Sequence, residues 1–196
     1  LWSLSVEEQF YLAWPAVVLL FKRKNALVIA SLAIVAAPLV RVGTFVLWPS
    51  HRGGIGETFP TVFDSLAAGC LLAGLRGSLS ENRRYQALLS SPLFGLVPIV
   101  ALGSAFVYKV SFQLAIGETL MNVGIALTVD WTVSRRESGA GRIVARILDA
   151  APLTWIGKLS YSLYLWQQPF LYRDGHGLFH SFPLNLACAL ALAIAS

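Results

Sequence analysis

Between Tyr85 and Tyr108 the chain runs for 24 residues without an Asp, Glu, Lys or Arg, and from Gly177 to Ser196 for another 20. About 20 apolar residues in a helix span the hydrocarbon core of a bilayer. Composition points the same way. Hydrophobic residues make up 56% of the 196-residue chain and charged residues only 13%, against roughly 25% charged in soluble domains. A soluble domain of this size has no interior large enough to hide so much apolar surface. The expected fold class is therefore all-α, a polytopic transmembrane helical bundle.

Breaks in charge and clusters of Pro and Gly divide the chain into seven apolar segments. They are Glu8–Phe21, Asn25–Trp48, Phe59–Leu75, Ser91–Tyr108, Phe112–Val133, Pro152–Tyr172 and Pro183–Ser196. The chain opens on Leu1 rather than Met, shows no signal-peptide pattern, and stops on "LALAIAS" inside an apolar run. The expectation is a single membrane domain over residues 1–196 whose two ends are cut. Cys70 and Cys188 fall inside apolar segments and read as buried reduced thiols, with no metal or disulfide spacing.

Eleven of the fifteen Lys and Arg sit on alternate connections: Lys22, Arg23 and Lys24; Arg76, Arg83 and Arg84; Arg135, Arg136, Arg142 and Arg146, with Lys158 just inside the next segment. The positive-inside rule assigns those connections to the cytoplasm. The net charge of +5 then reads as a topology signal and as contact with anionic membrane lipids, not as a nucleic-acid surface. On this orientation Glu7, Glu8 and all three histidines (His51, His176 and His180) lie on the extracytoplasmic side.

Ionisable side chains within apolar segments are functional candidates because burying them is expensive. The set is Glu7, Glu8, Arg41, Asp64, Glu118, Asp130 and Lys158. Asp130 and Lys158, close to the cytoplasmic ends, read as solvated helix ends. Arg41 and Asp64 lie inside neighbouring segments with opposite charges, and a structural ion pair and a substrate contact are both open.

Two stretches stand out. In "LWSLSVEEQFYLAWP", residues 1–15, Ser5 and Glu8 fit the S-x-x-E capping box of a helix start. That leaves Glu7, which on a helix shares a face with Ser3, Tyr11 and Trp14, a polar and aromatic face suited to line a cavity and hold a hydroxyl-bearing ligand. In "GKLSYSLYLWQQPF", residues 157–170, Ser160, Tyr164 and Gln167 form one stripe and Tyr161, Tyr164 and Gln168 another. An interfacial aromatic belt with inter-helix hydrogen bonds is one reading and a cavity lining is the other. His176 and His180 are four apart but lack a third ligand, so no metal site is expected. No phosphate loop, G-x-S-x-G elbow or Ser–His–Asp set is present.

"WSLSVEEQFYLAWP" resembles the signature of the acyltransferase 3 family, polytopic membrane O-acyltransferases of bacteria. "TFPTVFDSLAAGCLLAGL", residues 58–75, resembles that family's Asp-containing helix, and "GKLSYSLYLWQQPF" its "SYSLYLW" motif. The resemblance implies a protein of about ten helices, of which this chain holds about seven and lacks the first ones, in the bacterial inner (plasma) membrane. It implies transfer of an acyl group, commonly acetyl, from a cytoplasmic acyl-CoA co-substrate to a hydroxyl of an extracytoplasmic or lipid-linked carbohydrate, with no bound cofactor. Carried over by motif are Ser5, Glu7, Glu8, Gln9, Phe10 and Tyr11; Asp64; and Ser160, Tyr161, Tyr164, Leu165 and Trp166. The family's Arg and His on an upstream helix have no counterpart here, and Gln167 stands where the later motif often carries His.

The expected site is thus Glu7 and Glu8 as catalytic carboxylates, orienting an upstream His or binding the sugar. Ser5, Tyr11, Arg41, Asp64, Ser160, Tyr161, Tyr164 and Gln167 would contact substrate, and this chain by itself would be inactive. The competing readings are a transporter or flippase-like protein for a sugar or lipid-linked substrate, built from the same intramembrane polar residues, and a non-catalytic membrane scaffold.

Overall fold

A computed structural model describes residues 2–137, 139–171 and 182–196, and every regular element among them is helical. The described residues form two compact units, Leu1–Arg135 and Arg136–Ser196.

The first unit opens with α1 (Trp2–Leu47), a 3-10 turn at Pro49–Gly54 and α2 (Phe59–Glu81). Next come α3 (Arg83–Ser90), a second 3-10 turn at Pro92–Gly95 and α4 (Leu96–Ala105). The short α5 (Val110–Phe112) then leads through a π-helical turn, Gln113–Gly117, into α6 (Glu118–Ser134).

α1 is two helices in one. Lys22 is non-helical, at φ 60° and ψ 164°. Glu7 and Arg41, 34 residues apart, would stand about 50 Å apart on a straight helix. Yet Glu7 shares a cleft with Val62 and Ser65 while Arg41 bonds Thr61 and Asp64, so both arms reach the same half of α2. The chain folds back at "KRK", as the break in charge predicts.

This reversal collects the cations. Arg23 donates to the Gly74 carbonyl near the end of α2 at 2.6 Å, and Arg135, just past α6, donates to Ser90 Oγ at 2.6 Å. The α1 fold-back and the C-terminal ends of α2 and α6 therefore share one basic end. Glu7, Arg41, Asp64 and Glu118 lie toward the other.

Packing is inverted relative to a soluble core. Among the described residues, nine of the thirteen buried hydrophobic ones are alanines, including Ala26, Ala30, Ala37, Ala67, Ala68 and Ala101, while Leu12, Leu19, Leu32 and Leu39 point outward. Small residues let membrane helices approach closely, and lipid receives the large side chains. At Gly124 of α6 an added Cβ would run into Ala101 of α4, so that crossing requires glycine. The largest fully buried side chains are Arg41, Leu89 and Asp64.

Among the described residues, three helical stretches are long and apolar enough to cross a membrane: Trp2–Leu47, Pro49–Glu81 and Val110–Ser134. The pair Arg83–Ser90 and Pro92–Ala105, bent by 67°, counts as a fourth. The fold-back of α1 divides the first stretch into the two segments expected from sequence.

The second unit holds α7 (Gly139–Leu148), α8 (Ala151–Leu171) and α9 (Leu184–Ala195). α9 buries Ala189 and Ala193, and Trp166 Nε1 of α8 donates to Ser196 Oγ at 3.3 Å. Two sequence expectations need correction among the described residues of this unit, at α8 and at α7. α8 forms but is not among the spans, because Thr154, Lys158, Ser160, Ser162 and Gln167 dilute its apolarity. α9 covers 12 of the residues in the segment expected from Pro183 to Ser196. The stretch expected as a basic loop is in part α7, whose Arg142 and Arg146 share one face while Ile143 and Ile147 share another. That pattern suits a helix lying in a membrane surface.

Candidate functional site

A charge inside an apolar bundle survives only if paired and hydrogen-bonded. Arg41 and Asp64 are both 0% exposed and form an ion pair. Arg41 Nε also donates to the Thr61 carbonyl at 2.6 Å, and its Nη1 donates to Thr119 Oγ1 at 3.1 Å. Asp64 accepts from Thr119 Oγ1 at 2.6 Å and from Asn122 Nδ2 at 3.3 Å. Every polar end of the pair is thereby engaged.

Glu118 completes the cluster. Its Oε2 lies 3.1 Å from Arg41 Nε, and its side chain keeps 31% exposure. The π-turn sets its direction. Gln113 Nε2 donates to the carbonyls of Ser104 at 2.6 Å and Val107 at 2.8 Å, and Ser104 Oγ donates to the Gly117 carbonyl at 3.2 Å. One extra residue in a turn rotates the succeeding helix by about 100°. Glu118, Thr119 and Asn122 then face Arg41 and Asp64 together.

Glu118 opens into a cleft of about 430 Å³, also lined by Trp2, Ser3, Val6, Glu7, Val62, Ser65 and Asn122. The volume falls in the range of small-ligand sites. Glu7 forms no ion pair or hydrogen bond among the described residues. The cleft thus holds one carboxylate anchored by an arginine and one with its acceptor atoms open to a ligand, beside an indole ring. Such a set can accept hydroxyl hydrogens and remove a proton.

Below the cleft a second cavity, about 520 Å³, runs between α2 and α6. It follows Ser65, Gly69, Leu72, Ala73 and Arg76 on one helix and Asn122, Ile125, Ala126, Val129, Asp130 and Val133 on the other. Ser65 and Asn122 belong to both cavities. A largely apolar cavity therefore extends along α2 and α6 from Arg76 to Ser65 and Asn122, the two residues it shares with the carboxylate cleft.

The sequence-predicted residues divide accordingly. Glu7 lines the cleft with Ser3, but Tyr11 does not and is 65% exposed. Arg41 and Asp64 join one cluster but have no exposed surface, so Glu118 presents that cluster to the cleft. The capping box is absent. Ser5 lies inside α1, whose described helix already includes Trp2, and its Oγ accepts from Gln9 Nε2 at 3.2 Å, leaving Glu8 exposed on the helix surface. Asp130 is not a solvated end. It is buried and accepts from Tyr85 Oη at 2.7 Å. Lys158 is exposed.

Ser160, Tyr161, Tyr164 and Gln167 all belong to α8 of the second unit. There Ser160 Oγ bonds back to the Gly157 carbonyl at 2.8 Å, Tyr161 and Gln167 are exposed, and Tyr164 is half-buried. His176, His180 and the side chain of Gln168 lie outside the described residues. Missed from sequence were Thr61, Thr119 and Asn122, and Glu118 stood only in the general roll of ionisable groups. The available signal was Glu118, Thr119 and Asn122 at i, i+1 and i+4 in an apolar segment, a spacing that aims polar side chains at a neighbouring helix.

The acyltransferase domain family matches residues 1–196. The chain is 32% identical over 182 residues to the peptidoglycan O-acetyltransferase OatA of Listeria monocytogenes, covering 87% of this chain and 28% of that protein. It is 29% identical over 187 residues to the O-acetyltransferase OatA of Staphylococcus aureus, covering 87% and 29%. It is also 29% identical over 184 residues to the putative peptidoglycan O-acetyltransferase YrhL of Bacillus subtilis, covering 87% and 28%. The chain spans less than a third of the length of these relatives. No solved structure matches it.

Proposed function

The chain belongs to the acyltransferase domain family, and from that premise we propose that it forms the core of a multi-pass inner-membrane O-acetyltransferase acting on a cell-wall glycan. The observation that carries this reading is the meeting of two cavities at Ser65 and Asn122, one bearing Glu7 and Glu118 and the other opening at the basic end. With the basic end cytoplasmic, the phosphates of an acyl-CoA gather at Arg76 and the neighbouring arginines, and its thioester arm follows the α2–α6 groove. Arg76 and Ser65 are eleven residues apart on α2, about 16 Å, a length that an extended pantetheine arm covers. The sugar enters the cleft from the other side.

The step conserves atoms and charge. The acceptor O–H breaks and its proton passes to Glu7, directly or through the imidazole that the family resemblance implies upstream. The oxygen bonds to the acyl carbonyl carbon, the carbon–sulfur bond breaks, and the thiolate leaves with the proton. Glu118, held by Arg41, binds the sugar. Arg41 and Asp64 position Glu118 without touching substrate.

The test uses membranes carrying the full-length protein, labelled acetyl-CoA and a peptidoglycan fragment. Label should appear in the fragment as an alkali-labile ester. Label that never leaves the donor, in well-inserted protein, would sink the proposal. The two adjoining cavities also suit a second reading, movement of a lipid-linked sugar. That reading predicts sugar translocation with no ester formed.

A further inference from the structure

A third cavity, about 450 Å³, lies on the far side of the Gly54–Gly56 segment from the carboxylate cleft. Thr44, Trp48, Ser50, His51, Thr58 and Thr61 line it. The Trp48 ring is 55% exposed. Its indole N–H has no partner among the described residues, whereas Trp131 Nε1 donates to the Leu89 carbonyl at 3.0 Å. Ser50 Oγ and His51 Nδ1 are 3.1 Å apart, which leaves the imidazole Nε2 for another partner. Thr58 Oγ1 and Thr61 Oγ1 are 3.0 Å apart.

An interfacial aromatic belt explains an exposed indole near a helix end. It does not explain a hollow that the indole lines together with hydroxyls and an imidazole. An apolar plate beside closely spaced donors and acceptors complements a molecule with one apolar face and a rim of hydroxyls, which is a pyranose. Among the described residues no Asp, Glu, Lys or Arg lines the cavity, so it suits an uncharged ring.

The third cavity shares a wall with the cleft. Ile55 and Thr61 face it, and their chain neighbours Gly56 and Val62 face the cleft. Consecutive Cα atoms are about 3.8 Å apart. The rim between the cavities carries no side chain at Gly54 or Gly56, and Gly56, at φ 94°, is held by its N–H donating to Thr61 Oγ1 at 3.2 Å. We infer that the Trp48–His51 cavity is a second, non-reacting acceptor subsite, holding the sugar next to the one acylated in a glycan chain that crosses the Gly54–Gly56 rim. This rests on the carboxylate cleft being the acceptor site, and it makes the enzyme prefer polymer over single sugars.

The test compares N-acetylglucosamine with its β-1,4-linked tetramer on purified full-length protein, first for binding without donor and then for acetyl transfer. Wild type should bind the tetramer about tenfold tighter than the monomer. Trp48→Ala should abolish that preference, raise KM for the tetramer about tenfold, and leave kcat and monomer affinity unchanged. Gly54→Val should act likewise by blocking the rim, at a position where an added Cβ meets nothing within 4 Å. Wild type without a tetramer preference, or variants that keep it, would overturn the subsite. Trp48-dependent tetramer binding in a protein that acylates no glycan would overturn the reaction assigned to the cleft and support the sugar site. Acylation indifferent to chain length would do the reverse.

Discussion

Asp64 and Asp130 are both buried in the first unit, at opposite ends, and they are compensated in different ways. Asp64 has an arginine, a threonine and an asparagine. Asp130 has only hydroxyls, Tyr85 Oη at 2.7 Å and Ser134 Oγ at 3.5 Å. The arginine at the first end does more than neutralise. It bridges Asp64 to Glu118 and so fixes a third, partly exposed group at the edge of a cleft. Asp130 lines the α2–α6 cavity but forms no ion pair among the described residues, and its bond to Tyr85 ties α3 to α6. One end is a frame for a reactive group, and the other is a joint between helices.

That contrast can be broken by mutation. Arg41→Ala should be the most damaging change, because it strands Asp64 and loosens Glu118. Removing one partner of a buried pair costs about 3–5 kcal/mol, and thermal denaturation in detergent would show a lower midpoint or no folded protein. Replacing both partners, Arg41→Met with Asp64→Leu, should restore folding and leave activity lost, which separates packing from positioning. Glu118→Gln keeps the shape and should lower kcat/KM for acetyl transfer by roughly 10- to 100-fold, about one strong hydrogen bond to a charged group, with little change in stability. Tyr85→Phe leaves Asp130 short of a donor and should cost about 1–3 kcal/mol of stability with transfer retained, measured in the same two assays. Ser5→Ala should be nearly silent, within about 0.5 kcal/mol, where a true capping box would lose about 1 kcal/mol.

Much of this is legible in the sequence. Uncharged windows identify the helices, the "KRK" break marks the fold-back, and two opposite charges on adjacent segments single out Arg41 and Asp64, though with an ion pair and a substrate contact both open. What stays hidden has physical causes. A capping box is a local pattern that a helix passing straight through it overrides, as it does at Ser5. Thr61, Thr119 and Asn122 carry no charge, so nothing in a hydropathy profile distinguishes them from packing residues. The π-turn that aims Glu118 depends on Gln113 reaching carbonyls six and nine residues earlier, a tertiary arrangement with no sequence period. α7 is hard to see because its alternation of arginines with isoleucines has the same charge as a positive-inside loop. Helical spacing puts Glu7 on the face of Ser3, which lines the cleft, whereas the capping box that set Glu8 apart in the sequence does not form. Glu7 lies in the cleft and Glu8 is exposed on the helix surface.

The proposed reaction depends most directly on Glu7. The measurement is O-acetyl content of cell-wall glycan from cells producing full-length wild type, Glu7→Gln or Tyr85→Phe, with equal amounts of each confirmed in the membrane. A proton acceptor contributes about 10²- to 10⁴-fold to rate. Glu7→Gln should therefore lose at least about 100-fold in acetylation while Tyr85→Phe stays near wild type. Normal acetylation by Glu7→Gln, or equal loss in both variants, would contradict the role assigned to this carboxylate.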